Sequence, residues 1–144
     1  MKTAVDTNVF VALFSGDADT SATAQATLED TRADGPLVIS PAVYAELVAG
    51  RDETFVERFL SEKAIDVDWE QSREVWGTAG ACYGKYARDR RKQKGDPGPR
   101  RILADFLIGA HAIHRAEALL TSDSRIYGTY FPELKVVQPE GATG

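Results

Sequence analysis

The chain is poor in the residues that staple or anchor a protein. Of its 144 residues only Cys82 is a cysteine. A lone cysteine excludes an intrachain disulfide framework and a cysteine-ligated zinc site. No apolar run approaches the ~18 residues of a membrane helix. The longest early run, Val9 to Phe14, is short for a signal-peptide core and follows Asp6, which would be out of place in one. There is no internal repeat, no low-complexity tract and no composition shift that would mark a domain boundary. These absences leave a cytoplasmic protein without a membrane partner. We expect one domain over residues 1–144, with a flexible tail from about 139 to 144.

What is present suits a globular domain. The hydrophobic fraction is 43% and the charged fraction 27%, enough for a real core at this length. The net charge of −5 hides an asymmetry. Between Gly84 and Arg101 eight Lys and Arg stand against Asp89 and Asp96, a local +6 that leaves −11 for the rest. A basic arm on an acidic body suits either an anionic partner such as nucleic acid or a solvated helix end and loop.

Strands and helices alternate. Lys2 to Asp6, Leu37 to Ile39, Ala64 to Val67, Ala118 to Thr121 and Lys135 to Gln138 read as short strands. Helices are expected over Asn8–Phe14, Thr20–Ala33, Pro41–Val48, Asp52–Lys63, about Glu70 to Arg91, Ile102 onward, and Ser124–Tyr130. Ser40-Pro41 has the form of an N-cap with proline at the first helical position, and Gly50 is expected to end that helix. The Thr20 helix has a thin apolar face of Ala22, Ala26 and Leu28. In the Glu70 helix, Trp76, Ala79, Tyr83 and Tyr86 form the inward face, packing a core or dimer surface rather than stacking on bases. Its Gly77, Gly80 and Gly84 either weaken it or admit another helix closely. Gly95 to Pro99 reads as a loop. Alternation of this kind implies parallel pairing and an α/β sandwich.

Two carboxylates stand where packing alone would not put them. Asp105 interrupts the run Ile102, Leu103, Phe106, Leu107, Ile108, and Asp123 closely follows the strand ending at Thr121. An ionised carboxylate near a core is costly unless paired, hydrogen-bonded or bound to a cation. In an open α/β sheet, ligands bind beyond the carboxyl ends of the strands. Asp6 and Asp123 lie at such ends. Glu46 and Asp105 lie in early turns of helices that begin at that edge. Four acids together repel one another, and hard oxygen donors without a cysteine cluster favour Mg²⁺ or Mn²⁺. A divalent ion there supports in-line hydrolysis of a phosphodiester. Each acid also has a plainer reading: helix cap for Asp6, surface ion pair for Glu46, turn residue for Asp123, and a dipole-favoured early-helix position for Asp105. Thr7, Asn8, Thr121 and Ser122 either support the acids or serve as turn and cap residues. His111 and His114, six and nine residues beyond Asp105, match its face poorly and read as structural or surface residues.

The segments VDTNVFVALF, ISPAVYAELVAG, ILADFLIGAHA and ALLTSDSRIYGTYFPELKVV resemble the PIN-domain ribonucleases, most closely the VapC-type toxins of bacterial toxin–antitoxin pairs. The likeness spans nearly the whole chain, with the motifs in family order. It is weakest over Asp17 to Gly35, and the basic arm is not a shared motif. The resemblance implies a three-layer α/β/α sandwich with a central, mostly parallel sheet and an acidic Mg²⁺ site. It makes Asp6, Glu46, Asp105 and Asp123 the acidic quartet. Asp6 and Asp105 would be the direct metal ligands. Glu46 and Asp123 would act through water or complete a second metal site, with Asn8 and Thr121 in support. It further implies cleavage of tRNA or ribosomal RNA, a homodimer, and a VapB-like antitoxin that blocks the site. In that setting Arg90, Arg91, Arg100 and Arg101 become candidates for contact with the RNA backbone. Rival readings are a phosphotransfer enzyme of the haloacid dehalogenase type, where Asn8 departs from the Asp-x-Asp pattern, a non-catalytic metal-binding interaction module, and the same fold acting on DNA.

Overall fold

The computed structural model describes residues 1–93 and 103–139. The loop expected at Gly95–Pro99, the start of a helix at Ile102, Arg100, Arg101 and residues 140–144 of the tail lie outside the described residues. Five parallel strands form one sheet in the order β3-β2-β1-β4-β5. They are β1 (Thr3–Val5), β2 (Leu37–Ile39), β3 (Ile65–Val67), β4 (Ala118–Leu120) and β5 (Val136–Val137). β1 is central, with Val5 opposite Leu120 and Ala4 opposite both Val38 and Leu119. Strands this short are stable in parallel only because helices cover both faces. β1, β2 and β4 are buried along their whole length, so β2 and β4 read as continuous apolar runs and β1 departs from one only at Thr3.

Among the described residues seven helices make the outer layers of a three-layer α/β/α sandwich: α1 (Thr7–Leu13), α2 (Ala18–Asp34), α3 (Pro41–Gly50), α4 (Glu53–Glu62), α5 (Arg73–Lys92), α6 (Leu103–Arg115) and α7 (Ser124–Tyr130). α5 packs along α6, which touches β1 and β4, while α1 packs on α2. Their starts follow local chemistry. Ser40 Oγ accepts from the Val43 amide with Pro41 at the first helical position, Asp17 caps α2 through the Thr20 amide, and Asp52 caps α4 through the Phe55 amide. Gly50 is the last helical residue of α3 rather than the residue beyond it. Phe55 and Phe59 stack on α4 as their spacing suggests, and Val56 and Leu60 are buried.

Two helices turn differently from expectation. α2 buries Ala24, Thr27, Leu28 and Thr31, while Ala22 and Ala26 face outward. Thr27 and Thr31 can be buried because each hydroxyl donates to the carbonyl four residues earlier, at 2.9 and 2.7 Å. In α5 the core residues are Val75, Ala79 and Tyr86, and Trp76 stands 52% exposed. No atom of the described chain lies within contact distance of a Cβ built at Gly77 or Gly80, so these glycines admit no close helix within the chain.

Aromatic packing fixes α5, α6 and α7 to one another. Phe106 of α6 meets the rings of Tyr83, Tyr86, Tyr130 and Phe131 at centroid distances of 5.3 to 6.1 Å. Gly109 lets Phe131 lie against α6, since a Cβ there would come within 2.7 Å of its ring. That close approach sets where α7 sits.

At the end of β3 a polar clasp joins the sheet to α6. Asp68 Oδ2 accepts from Arg115 Nε at 2.8 Å and from His111 Nε2 at 3.0 Å, and Asp68 Oδ1 accepts from Arg115 Nη2 at 3.3 Å. Burial alone pushes the Asp68 carboxyl up. The hydrogen bonds from Arg115 and His111 outweigh that and hold it at about 2. The folded value lies below the unfolded one, so this stabilisation is complete above about pH 4 and fades as pH falls through about 2. Asp68→Asn is expected to cost about 2 kcal/mol near pH 7. In urea unfolding at a series of pH values, the gap between wild type and variant should close toward pH 2.

Candidate active site

The site is built from the residue that ends the central strand. Asp6 follows Val5 and is 5% exposed. Its Oδ2 accepts from the Thr121 hydroxyl at 2.8 Å and the Tyr127 hydroxyl at 3.2 Å, and the Thr7 amide also donates to the carboxylate. Burial raises the Asp6 carboxyl to about 6, and the negative charge of Asp105 adds to the rise. The three donors favour the ionised form but do not overcome burial.

Thr121 is fully buried, and its hydroxyl is saturated. It donates to Asp6 and accepts from Asn8 Nδ2 at 3.2 Å and from the Asp123 amide at 3.0 Å. Asn8 Oδ1 in turn accepts from the Ser122 amide at 3.2 Å. The first turn of α1 is thereby tied to the turn after β4. Thr7 donates from its hydroxyl to Glu46 Oε1 at 2.8 Å, which draws the second turn of α3 toward the end of β1. Thr7, Asn8 and Thr121 therefore link the acids by their side chains, and Ser122 does so through its backbone.

Asp105 lies in the first turn of α6, half-buried. Asp123 occupies the N-cap position of α7 without capping it by its side chain. The charges of Asp6, Asp105 and Asp123 all act on one buried phenol, Tyr127. Burial first, and then those three carboxylates, push its hydroxyl far above the ordinary range. The structure thus brings Asp6, Asp105 and Asp123 around Tyr127 and ties Glu46 to the neighbour of Asp6. Among the described residues, however, no three His, Cys, Asp or Glu side chains close on one point tightly enough to grip an ion together.

The histidines have other partners. His111 is buried and pairs with Asp68, while exposed His114 pairs with the Thr78 hydroxyl at 2.8 Å. Burial lowers the affinity of His111 for a proton, against the pull of Asp68. Arg90 and Arg91 stand in the last turn of α5, where Arg90 Nη1 donates to Gln93 Oε1 at 3.1 Å. Tyr127 is the site residue that the motifs do not single out. Its signal is spacing: it lies four residues after Asp123, one helical turn on, and a buried tyrosine needs a partner for its hydroxyl.

Comparison with known proteins agrees with this architecture. A family model described as PIN domain matches residues 3–132. Among solved structures, VapBC2 from Rickettsia felis, solved with a DNA fragment from its promoter, is 23% identical with a TM-score of 0.60. It matches over 96% of this chain and 98% of that one. A toxin–antitoxin complex from Klebsiella pneumoniae is also 23% identical, with a TM-score of 0.63 over 95% and 97% of the two chains. VapBC-1 from nontypeable Haemophilus influenzae is 21% identical, with a TM-score of 0.61 over 96% and 98%. At these identities the likeness is one of fold. No curated protein matches in sequence.

The raised Asp6 carboxyl sets a pH dependence. Its folded value of about 6 exceeds the unfolded 3.8, so the metal-free protein is favoured by the protonated form below about pH 4 and loses that stability as pH rises through about 6. Asp6→Asn removes the charge and keeps an acceptor for both hydroxyls. Measured without divalent metal, it should be more stable than wild type by about 2–3 kcal/mol above pH 6.5 and indistinguishable at pH 3.5. Thermal unfolding at the two pH values, in chelator, checks this.

Proposed function

The chain belongs to the PIN domain family, a nuclease fold, and on that premise we propose that it is a Mg²⁺-dependent endoribonuclease, the toxin of a VapBC-type toxin–antitoxin pair. The observation that carries the reading is Asp6: a carboxylate buried at the end of the central strand, pushed up by burial and by Asp105. Among the described residues, Asp6 is met by hydroxyl and amide donors and not by a cationic side chain. The donor chemistry fits a hard divalent cation, because the ionisable groups the described residues bring to this edge are carboxylates and the Tyr127 phenol, with neither cysteine nor histidine among them. Mg²⁺ retains several waters and needs only one or two carboxylates, so Asp6 and Asp105 suffice without a three-ligand cage. Mn²⁺ is the natural substitute.

When bound, the ion supplies an activated water and neutralises charge on a phosphodiester. The chain supplies the rest. Asp6 and Asp105 would hold the ion. Glu46 is oriented through Oε1 by Thr7, which leaves Oε2 to take the proton of the attacking water. Asp123, with its backbone anchored on Thr121, helps orient that water or completes a second metal site. Thr121 and Asn8 fix the carboxylates so that little reorganisation accompanies reaction.

The substrate we assign is RNA, tRNA or ribosomal RNA in particular. Tyr86 of α5 packs on Phe106, the residue after Asp105, and the basic last turn of α5 follows Tyr86 within the same helix, which supports the assignment. Arg90 and Arg91, and by sequence Arg100 and Arg101, are assigned to the RNA backbone. The toxin–antitoxin complexes among the structural neighbours support a VapB-like antitoxin as partner. The exposed Val11 and Phe55, with Phe14 beneath Arg51, offer an apolar surface for it. The open α5 face around Trp76 supports a homodimer. No described helix is long and apolar enough to cross a membrane. We place the protein in the cytoplasm and treat residues 1–144 as one PIN domain.

Purified protein incubated with total RNA should make discrete cuts in Mg²⁺. Chelator should abolish them, and a folded Asp105→Asn variant should lose at least ~100-fold in rate. Equal cleavage by that variant would point to a contaminant, and no cleavage by folded, partner-free protein would favour an interaction module. Replacing Arg90, Arg91, Arg100 and Arg101 by Gln should raise KM and flatten the dependence of affinity on salt, by ~0.7 in log–log slope per lost phosphate contact. An unchanged slope would remove the basic arm from the substrate path.

A further inference from the structure

Tyr127 offers an additional assignment. It is 2% exposed, its ring is packed against Phe131 at 5.9 Å, and its hydroxyl is aimed at the candidate site. The single hydroxyl hydrogen is shared between Asp6 Oδ2 at 3.2 Å and the Asp105 carbonyl at 3.3 Å. One buried side chain of α7 therefore touches both the end of β1 and the first turn of α6. The packing around it leaves little freedom: Phe131 lies between Tyr127 and Phe106 and rests on Gly109. A phenylalanine would fill the same space, so the ring alone would serve packing. The hydroxyl brings a polar atom into the interior, where it must find a partner, and the partner is Asp6.

We propose that Tyr127 is a positioning residue that, with Thr121, holds Oδ2 of Asp6 and so presents Oδ1 to the divalent cation. The inference rests on the reading of Asp6 as a cation ligand. Both hydroxyls donate to Oδ2 and the Thr7 amide also donates to the carboxylate, so among the described side chains none donates to Oδ1, the oxygen assigned to the ion. Because the same hydroxyl meets the Asp105 backbone, Tyr127 fixes the distance between the two carboxylate-bearing elements. Outer partners of this kind commonly govern metal affinity by ~10–100-fold.

The test is calorimetric titration of Mn²⁺ into wild type, Tyr127→Phe and Asp6→Asn, together with RNA cleavage over a range of Mn²⁺. Tyr127→Phe keeps the ring and removes only the hydroxyl. It should bind Mn²⁺ ~10–100-fold more weakly than wild type. At saturating Mn²⁺ its kcat should return to near the wild-type value, with KM for RNA unchanged throughout. Mn²⁺ affinity equal to wild type in folded Tyr127→Phe would overturn the assignment, including where the variant has lost stability, since that marks a packing role only. A kcat that stays low at saturating Mn²⁺ would also overturn it. If wild type and Asp6→Asn bind Mn²⁺ equally or not at all, the metal reading of the site falls and this inference falls with it. Loss of binding in Asp6→Asn with no effect of Tyr127→Phe would sink the tyrosine assignment alone.

Discussion

The structure turns on a single carboxylate held where water scarcely reaches. Asp6 continues the central strand into the interior edge of the sheet, and among the described residues it is surrounded by donors rather than by a counter-charge. Thr121 comes from the end of β4, Tyr127 from α7, and the Thr7 amide from the start of α1. Each of these donors is itself fixed, Thr121 by Asn8 and the Asp123 amide, Tyr127 by the aromatic cluster on α6. Donors without a cation leave the carboxylate well above its ordinary range, and Asp105 raises it further. Folding alone gains nothing from that arrangement. A protein evolved only for stability would place an alanine or asparagine here. The cost is understandable when a divalent cation supplies the missing charge.

A second polar centre shows the contrast. Asp68 is partly buried, and Arg115 and His111 compensate it and hold it below the usual carboxylate range. There the ion pair is complete and joins β3 to α6. The same fold thus contains one carboxylate with its cation built in and one without. The overall acidity of the chain bears on the proposed reading: if RNA is the substrate, a body of −11 repels it, and attraction for phosphate would come from the proposed cation and from the +6 segment between Gly84 and Arg101.

Much of this is legible from the sequence because local chemistry and topology agree. Short apolar runs alternating with helical spacing give the five parallel strands, and Ser40-Pro41 marks the start of α3. The position of acids after strands and at the starts of helices brings Asp6, Asp105 and Asp123 to one edge by topology alone. What is not legible depends on tertiary choice. α2 has almost no amphipathic pattern, so nothing in its composition selects Thr27 and Thr31 over Ala22 and Ala26 for burial. That choice works because the hydroxyls bond within the helix. Trp76 has the size of a core residue, but the helix turns so that Val75 enters the core and the indole is left outside. Asp68 and Arg115 are separated by 47 residues, and nothing local pairs them. Tyr127 escapes a reading based on acids because its role comes from a hydroxyl at the tip of a packing residue.

The most direct test of a cation at this edge is a crystal of the full chain soaked in Mn²⁺, with anomalous difference maps recorded at the manganese absorption edge. A peak about 2.1 Å from carboxylate oxygens of Asp6 and Asp105, absent from Asp6→Asn crystals, is the expected result. Maps with no peak at Asp6, or with manganese bound only elsewhere, would contradict the reading of this edge as a metal-dependent active site.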